Sequence, residues 1–290
     1  MQLVVELKNH LFLDKIDDTK IEGYILSINE LSAYNDVEYS VDELKEIIAK
    51  IHKKNKKVYL NARRIFHEDD FELIEEIVKL TIKFNVDYYI YSDFGFYEIM
   101  KNLGLEKILI YQVNTYMTNV FDVNIMLEEN YGVVLSTEIS YNEIEKIVKD
   151  IKGNLYLNAF GYYPIFHSRR KLITNYKKYR KEELNLNKKF DIVEELRDSH
   201  YPIEENHNGT VIYTDGLYYL SCEIYSLNNI NPDLKYLIYS KYTSEEEYLK
   251  IISTYTSLLD DKQVSWDDFK NLTKGLLYEK SKLLKTEGGK

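Results

Sequence analysis

One short segment of the chain concentrates side chains that bind anions. Residues 160–180 read FGYYPIFHSRRKLITNYKKYR, and seven of the thirteen positions from Arg169 to Lys181 are basic. Arginine forms paired hydrogen bonds with phosphate or carboxylate, and tyrosine rings stack on bases or peptide side chains. The alternative is that Arg169 and Arg170 pair with Glu138 or other carboxylates at strand ends and hold the loop. The predicted substrate contacts here are Tyr162, His167, Ser168, Arg169, Arg170 and Tyr176.

Further polar side chains follow the apolar runs along the chain. We consider Glu30, His67, Asp93 and Glu138 as catalytic candidates, and Arg63, Asn114 and Thr115 as additional substrate contacts. No pair among them has a spacing that specifies a reaction, and the sequence contains no HExxH, GxSxG or Walker pattern. A solvated rim of salt bridges is the alternative interpretation, and the nucleophile or general base stays open.

Composition and charge limit the classes of function. The 290 residues carry a net charge of −10, so attraction of the whole chain to nucleic acid is excluded and any site for a polyanion must be local. Cys222 is the single cysteine, which excludes an internal disulfide and a metal site built on several cysteines. No apolar run is long enough to span a membrane, and the N-terminus does not resemble a secretory signal. We therefore expect a cytoplasmic protein without membrane contact.

The elements that must position these residues alternate between strand and helix. Helical patterns occur at 40–54, 69–84, 140–151 and 243–259, and both Ser40 with Glu43 and Ser140 with Glu143 form capping-box patterns. Eight strand–helix units predict an α/β fold, a (βα)8 barrel of the TIM type, over residues 1–260. An open doubly wound sheet is the alternative. The eight apolar runs that read as buried parallel strands are 3–7, 23–28, 57–62, 86–92, 107–113, 132–137, 154–159 and 234–240.

The connection between strands seven and eight is unusually long. It covers residues 161–231 and includes the basic segment, and long loops after barrel strands commonly carry function. In such a barrel the active face collects the residues that follow each strand. Residues 261–290 are predicted to form a C-terminal helical tail, which begins with a capped helix at SWDDFKNL, 265–272.

The basic segment resembles the signature of peptidase family U32, the collagenase-like proteins. The resemblance covers about residues 1–260 and is greatest to the short Bacillus-type members. It implies two further substrate contacts, Asn175 and Arg197. Four other stretches resemble family segments in the same order: 56–70, 114–119, 137–144 and 196–213. Within the signature the matching residues are Gly161, Phe166, Ser168, Arg170, Leu172, Asn175 and Tyr176.

The resemblance implies several activities. Family members are catalogued as peptidases, and others act in hydroxylation of tRNA, ribosomal RNA or ubiquinone with an iron–sulfur cluster held by cysteines. At the corresponding cysteine positions this chain has Pro164, Lys171 and, after the Asn-Gly-Thr turn, Tyr219. A single thiol does not hold a four-cysteine cluster, so we expect neither a cluster nor another cofactor.

Three functions follow as expectations. The first is a U32 protein catalogued as a peptidase whose catalytic activity has decayed. The second is an accessory subunit or enzyme of tRNA wobble-uridine hydroxylation, acting in a hetero-oligomer with a longer, cysteine-bearing paralogue. The third is an interaction protein without enzymatic activity. The sequence leaves the choice between RNA and peptide as substrate open.

Overall fold

Fourteen strands and eight helices are formed in the residues that the computed structural model describes, namely 2–16, 19–34, 36–113, 115–181, 189–194 and 199–279. In chain order the strands are β1 (Gln2–Glu6), β2 (Ile21–Ser27), β3 (Lys57–Ala62), β4 (Tyr88–Tyr91), β5 (Leu109–Tyr111), β6 (Gly132–Val134), β7 (Asn154–Gly161), β8 (Pro164–Ser168), β9 (Phe190–Glu194), β10 (Ser199–Asn206), β11 (Gly209–Tyr213), β12 (Leu217–Tyr219), β13 (Lys235–Ile238) and β14 (Leu272–Thr273). The helices are α1 (Val41–Lys53), α2 (Phe71–Lys83), α3 (Phe94–Asn102), α4 (Val120–Glu129), α5 (Tyr141–Asp150), α6 (Leu172–Arg180), α7 (Glu223–Ile230) and α8 (Glu245–Leu259).

Eight parallel strands close into a barrel. Strands β1 to β7 pair in sequence, and β13 pairs in parallel with both β1 and β7, as in Val4 with Leu237 and Leu237 with Asn158. The barrel strands are almost entirely buried, because helices cover the outer face and side chains fill the interior. The predicted TIM-like barrel and its eight strands are therefore confirmed, and the open sheet is excluded.

Helices α1 and α5 begin where the capping-box patterns predict them. Ser40 accepts from the backbone N–H of Glu43 at 3.3 Å while the Glu43 carboxylate accepts from the backbone N–H of Ser40 at 2.8 Å, so α1 has a complete capping box. Ser140 and Glu143 form the same box at α5. Each of these helices buries its apolar face against the barrel. Within the described residues, no helix has both the length and the apolar composition needed to cross a membrane.

The long connection after β7 forms a separate small sheet. Strands β8, β11, β10 and β9 lie antiparallel in that order, with Val211 of β11 opposite His167 of β8. Gly209 opens β11 with φ +119°, and a Cβ atom there would lie 2.1 Å from the carbonyl oxygen of Ser168. Only glycine permits this close approach. Asn208 then donates to the carbonyls of Asn29 and Ser32, at 3.2 and 3.0 Å, which attaches the small sheet to the barrel.

The predicted helix at 265–272 is wrong. In the described part of the C-terminal region, residues 261–279, no helix forms, and β14 pairs instead with β12. Trp266 packs on the rings of Tyr219 and Tyr255, with centroids 4.9 and 5.2 Å apart, and Leu277 is buried. Burial of these apolar side chains against the barrel outweighs the local capping signal at Ser265. The rest of the predicted tail, 280–290, lies outside the described residues.

Candidate functional site

A cavity of about 180 Å³ lies at the carboxyl end of the barrel, beneath β8 of the small sheet. Its floor comes from residues that directly follow β3, β4 and β5, which is where TIM-type barrels place their active sites. The insertion therefore supplies the roof over the mouth of the barrel. The lining residues are Tyr34, Arg63, Ser92, Gln112, Val113, Thr115, Pro164, Ile165, Phe166 and His167.

Arg63 provides the positive charge of this cavity. It is 3% exposed, and its Nε donates to the Oδ1 of Asn61 at 3.0 Å. The guanidinium carbon lies 4.8 Å from the ring centroid of Tyr239 and 5.5 Å from that of Tyr34, at distances typical of cation–π contacts. The two terminal nitrogens make no hydrogen bond or ion pair with any residue that the structure describes. Arg63 is thus oriented, and its terminal donors are left for an acceptor in the cavity.

A buried amide pair lies beside the arginine. Gln112 donates from Nε2 to the Oδ1 of Asn158 at 3.0 Å, and the Tyr239 hydroxyl donates to the Oε1 of Gln112 at 2.9 Å. These bonds fix the orientation of the Gln112 amide. The amide nitrogen of Asn158 is buried without a hydrogen-bond partner among the described residues. A buried donor without a hydrogen-bond partner lowers the stability of the fold. Such donors are a feature of sites that bind a polar ligand.

His167 joins β8 to the barrel rather than extending into solvent. Its Nδ1 lies 3.0 Å from the Tyr34 hydroxyl, and its Nε2 lies 3.4 Å from the carbonyl oxygen of Asn208. Burial, followed by the nearby positive charges of Arg169 and Arg64, lowers the pKa of His167 against the opposing hydrogen bond to Asn208. The imidazole is therefore neutral at pH 7: Nε2 donates to the carbonyl and Nδ1 accepts from Tyr34.

A buried carboxyl group ends the first barrel strand. The Oε2 of Glu6 accepts from the backbone and the hydroxyl of Ser240, at 2.7 and 2.9 Å, while Oε1 has no partner among the described residues. Burial raises the pKa of Glu6, and the charge of Asp36 adds to this, whereas the Ser240 hydrogen bonds and Arg63 oppose it. Lys8 in turn holds Asp36 at 2.5 Å. Because its pKa is raised, this carboxyl group at the barrel mouth can stay protonated at a pH where an exposed glutamate is ionised.

The four catalytic candidates are not brought together. Asp93 caps α3, since its carboxylate accepts from the backbone of Gly95 at 2.8 Å and of Phe66 at 3.2 Å. The side chain of His67 is exposed, and Glu30 contributes its carbonyl oxygen to Arg64 at 2.7 Å. Glu138 lines a different cavity. None of the four lines the cavity beneath β8.

The predicted substrate contacts divide into three groups. Arg63, Thr115 and His167 line the cavity. Arg169 makes the loop-holding ion pair that the sequence offered as an alternative, but with Asp70, at 2.8 Å, instead of a strand-end residue. Arg170, Asn175 and Tyr176 are exposed, Ser168 and Tyr162 are half-buried, and Ser168 accepts from the backbone of Arg170 at 3.2 Å. Asn114 and Arg197 lie outside the described residues.

Sequence reasoning assigned no role to several residues of the site, namely Glu6, Tyr34, Ser92, Gln112 and Tyr239. Glu6, Ser92 and Gln112 lie at strand ends and were expected at the active face, but none was chosen as a catalytic residue or substrate contact. Tyr239 carries the same signal, since it directly follows β13. Tyr34 carries no such signal, because it lies in a loop and enters the site only through its contact with His167.

The residues of this chain do not fit an iron–sulfur cluster. Pro164 and Tyr219 offer no thiolate, and the Nζ of Lys274 lies 3.8 Å from the centroid of the Tyr219 ring. Cys222 is exposed, with its sulfur 3.9 Å from the Ser221 hydroxyl. Over the described ranges, His, Cys, Asp and Glu side chains form no group of three that could hold a metal ion. Cysteine ligation of a cluster needs several thiolates at one place.

Comparisons with known proteins agree with this architecture. The model of peptidase family U32 matches residues 26–276. The tRNA hydroxylation protein P2 of Bacillus subtilis is 25% identical over 181 residues, which are 60% of this chain and 59% of that protein. An uncharacterized protease of Methanocaldococcus jannaschii is 30% identical over 189 residues, 63% of this chain and 45% of that protein. The matched part is thus about half the length of these relatives.

A solved structure shows the same fold. The structure of a U32 peptidase superposes with a TM-score of 0.55 at 9% sequence identity, over 84% of this chain and 94% of that one. At this level of identity the superposition shows a shared fold and carries no conclusion about function. Because the family model matches most of the chain, the protein belongs to peptidase family U32.

Proposed function

We propose that this chain binds tRNA and takes part in the hydroxylation of its wobble uridine. The observation that carries the proposal is the basic, tyrosine-bearing helix α6, which an otherwise acidic chain packs against strands β10 and β11 of the small sheet. The similarity to a protein named for tRNA hydroxylation supports it. A cytoplasmic location, where tRNA is found, is part of the same proposal.

Helix α6 is built as a surface. Its inner side is fixed by Ile173, which is buried, and by the backbone of Leu172 and Thr174, which donate to Thr210 and Glu205 at 3.0 Å each. Its outer side presents Tyr176 and Tyr179, which are 55% and 83% exposed. Exposed cations accompany these rings: Arg170, Lys171, Lys178, Arg180 and Lys181. Cations that contact phosphates and rings that stack on bases are the common means of binding single-stranded RNA.

The cavity beneath β8 suits one extruded base or a similarly small polar group. Arg63 directs unpaired donors to it, Gln112 presents an oriented amide, and Phe166 and Ile165 supply apolar walls. A uracil ring offers two carbonyl acceptors and flat faces, which match these groups. Enzymes that modify a base take it out of the stack into such a pocket. Glu6, whose pKa is raised mainly by burial, is placed to hold or deliver a proton at the same end of the barrel.

Oxidation of the base requires a group that this chain's residues do not fit. We therefore assign the chain the task of binding and presenting RNA, and the redox step to a longer, cysteine-bearing family member in a hetero-oligomer. Strand β8 lines the cavity, and only residues 169–171 separate it from α6, so the cavity and the proposed RNA-binding surface are joined by a short connection.

RNA binding by α6 is tested by fluorescence anisotropy with labelled tRNA over a salt series. The double variant Arg170→Glu with Lys178→Glu is expected to weaken binding and to lower the salt slope by about two, since each phosphate contact contributes roughly one. Lys149→Glu, an exposed lysine on α5, is the matched control. Unchanged binding in the double variant, or an equal loss in the control, overturns the RNA surface.

The cellular role is tested by mass spectrometry of tRNA nucleosides from a deletion strain. Hydroxyuridine-type nucleosides are expected to fall in bulk tRNA, and unchanged nucleosides contradict the proposal. The activity in the family's name is peptide hydrolysis. The residues described at the cavity offer no nucleophile–base pair for it, because both ring nitrogens of His167 are occupied by contacts with Tyr34 and Asn208. Turnover of labelled gelatin above that of an Arg63→Ala control would favour the peptidase instead.

A further inference from the structure

Strands β8 and β11 form a two-stranded ribbon that crosses the mouth of the barrel. They pair antiparallel, β8 follows β7, and β11 leads into β12, which pairs back with β7. At the base of the ribbon the backbone N–H of Thr214 donates to the Tyr163 carbonyl at 2.9 Å, and the Tyr163 N–H donates to the Thr214 hydroxyl at 3.3 Å. The ribbon therefore leaves the barrel at the β7 side, and its far end reaches the loops after β2 and β3.

Polar contacts attach the far end of the ribbon to the barrel. Arg169, the residue after β8, donates from Nη1 to the Oδ2 of Asp70 at 2.8 Å and to the carbonyl of Ile65 at 3.2 Å. Asn208, the residue before β11, donates to two carbonyls of the loop after β2. Arg169 and Asp70 are both partly exposed. An ion pair that water reaches adds little stability, so this attachment opens more easily than the barrel unfolds.

The apolar side chains of the ribbon do not share the core of the barrel. Within the described residues, the continuous apolar core joins the barrel strands to the helices around them, and it includes neither Val211 nor Tyr213, although both are buried. Tyr213 instead contacts the ring of Tyr242, with centroids 5.6 Å apart. In β8, Ile165 and Phe166 are exposed, and no residue of that strand is fully buried. The packing that keeps the barrel strands in place is therefore not shared by the ribbon.

Empty volume adjoins the ribbon. Besides the cavity of about 180 Å³ beneath β8, a second cavity of about 260 Å³ lies against the same strand, and Ile165 lines both. Tyr163 and Thr214, at the base of the ribbon, line the second cavity as well. Protein interiors are normally close-packed, so unfilled space gives this strand room to shift. An extruded nucleotide brings its ribose, and the mouth cavity is smaller than the roughly 300 Å³ at which small-molecule pockets begin.

Arg169 connects the ribbon to the proposed RNA-binding helix, because it lies in the short connection between β8 and α6. Its Nη1 makes both contacts with the barrel, whereas Nε and Nη2 make no hydrogen bond with any residue that the structure describes. An arginine binds a phosphate through two of its nitrogens at once. A phosphate beside α6 can therefore bind the free nitrogens of Arg169 and compete with Asp70 for the guanidinium.

We propose that the ribbon is a gate over the Arg63 cavity, that the Arg169–Asp70 ion pair holds it closed, and that a phosphate of bound RNA opens it by drawing Arg169 away from Asp70. The trigger rests on the proposed RNA binding, whereas the gate itself does not. The donors of Arg63 then stay shielded from solvent until the strand that carries the base has met α6.

The gate is tested by thiol labelling inside the cavity. Ser92→Cys in a Cys222→Ala background places the single thiol of the chain on the cavity wall, where DTNB, a bulky aromatic disulfide, reaches it when the ribbon opens. Arg169→Ala and Asp70→Asn are each expected to raise the labelling rate about three- to fivefold, as for loss of one partly exposed ion pair, and the double variant no further. Arg170→Ala removes an exposed charge from the same connection and should leave the rate unchanged.

The trigger is tested in the same assay with an abasic oligonucleotide, which carries phosphates but no base that could fill the cavity. It is expected to accelerate labelling of the Ser92→Cys protein and to leave the rate of the Arg169→Ala variant unchanged. Acceleration by the substitutions but not by the oligonucleotide overturns the trigger. Val113→Cys, at another position of the cavity wall, is the second probe.

Equal labelling rates in the parent and in the Arg169→Ala and Asp70→Asn variants overturn the gate. Hydrogen exchange of the backbone amides of β1 to β7 separates opening of the ribbon from unfolding: it should be the same in all variants, and a matching rise there would assign the faster labelling to unfolding and overturn the gate as well. The rates of the variants are measured without RNA, so a failure of tRNA binding removes the proposed function and the trigger while the gate is decided separately.

Discussion

Arg63 combines burial with an incomplete set of partners. A buried guanidinium is costly unless acceptors meet its donors, and here only Nε has one, on Asn61. The rings of Tyr34 and Tyr239 recover part of the cost. A buried charge without a full set of partners lowers stability. Such a charge is expected to be kept where ligand binding requires it, because stability and function then oppose each other.

Replacement of Arg63 should therefore abolish ligand binding with little loss of stability. Arg63→Met removes the charge and keeps most of the side-chain volume, so the free energy of unfolding is expected to change by no more than about 1 kcal/mol. Binding of a base or anion in the cavity should be lost. Urea unfolding and tRNA hydroxylation by a complemented deletion strain measure the two effects. A loss of several kcal/mol with retained hydroxylation would mean that Arg63 is structural.

At the residue level, local patterns in the sequence indicated which side chains reach the cavity better than they indicated the partners of those side chains. Arg63, Thr115 and His167 were named from their places after strands or in the insertion, and all three line the cavity. The role of Arg169 depended on Asp70, 99 positions earlier in the chain, which no local pattern links to it. The partners of Glu6 and Tyr34 were not predictable either, because Ser240 and His167 lie more than a hundred residues away from them in the chain.

At the element level, a buried ion pair between Glu223 and Lys274 helps to hold the C-terminal segment. Glu223, which is 4% exposed, receives hydrogen bonds from Lys274 at 2.8 Å, from the hydroxyl of Tyr278 at 2.5 Å and from Ser221. Burial acts to raise the pKa of Glu223, but these bonds outweigh it and lower that pKa to about 2. Together with the packing of Trp266 on Tyr219 and Tyr255, this contact outweighs the local capping signal for a helix at 265–272.

Substitution of Glu223 should consequently cost stability in a pH-dependent way. A carboxyl group with a lowered pKa stabilises the fold above its unfolded pKa, 4.5, and loses that contribution as the pH falls towards 2. Glu223→Gln is expected to lower the free energy of unfolding by about 3 kcal/mol at pH 7. The difference from the unmodified chain should shrink steadily in urea titrations between pH 5 and pH 3.

The exposed Glu128→Gln variant serves as the control for this pH series, and it should follow the unmodified chain throughout. A Glu223→Gln deficit that stays constant over this pH range would indicate that lost packing, and not the charge, causes the effect.

For the whole molecule, regular features were predictable and irregular ones were not. Eight buried apolar runs separated by helical patterns predict a parallel α/β fold, and the pairing of β13 with both β1 and β7 decides for the closed barrel over the open sheet. Helices α3 and α4 were not predicted: α3 has Gly95 in its first turn, and α4 leaves Phe121 and Ile125 exposed at 79% and 60%. The small sheet over the mouth lacked a periodic signal because its strands are mostly half-exposed.

The division of labour that we propose predicts the metal content of the isolated chain. Purified anaerobically without its partner, the protein is expected to be colourless and to contain no iron or acid-labile sulfide above background, because Pro164 and Tyr219 supply no thiolate. Co-expression with a longer, cysteine-bearing family member should yield a joint peak in size-exclusion chromatography, with iron in that peak. Cys222→Ala should leave both results unchanged, since this single exposed thiol cannot build the site. A brown preparation of the isolated chain that loses its colour in Cys222→Ala would show instead that the chain holds its own cluster, with ligands other than those at the family positions, and the redox step would then belong to this barrel.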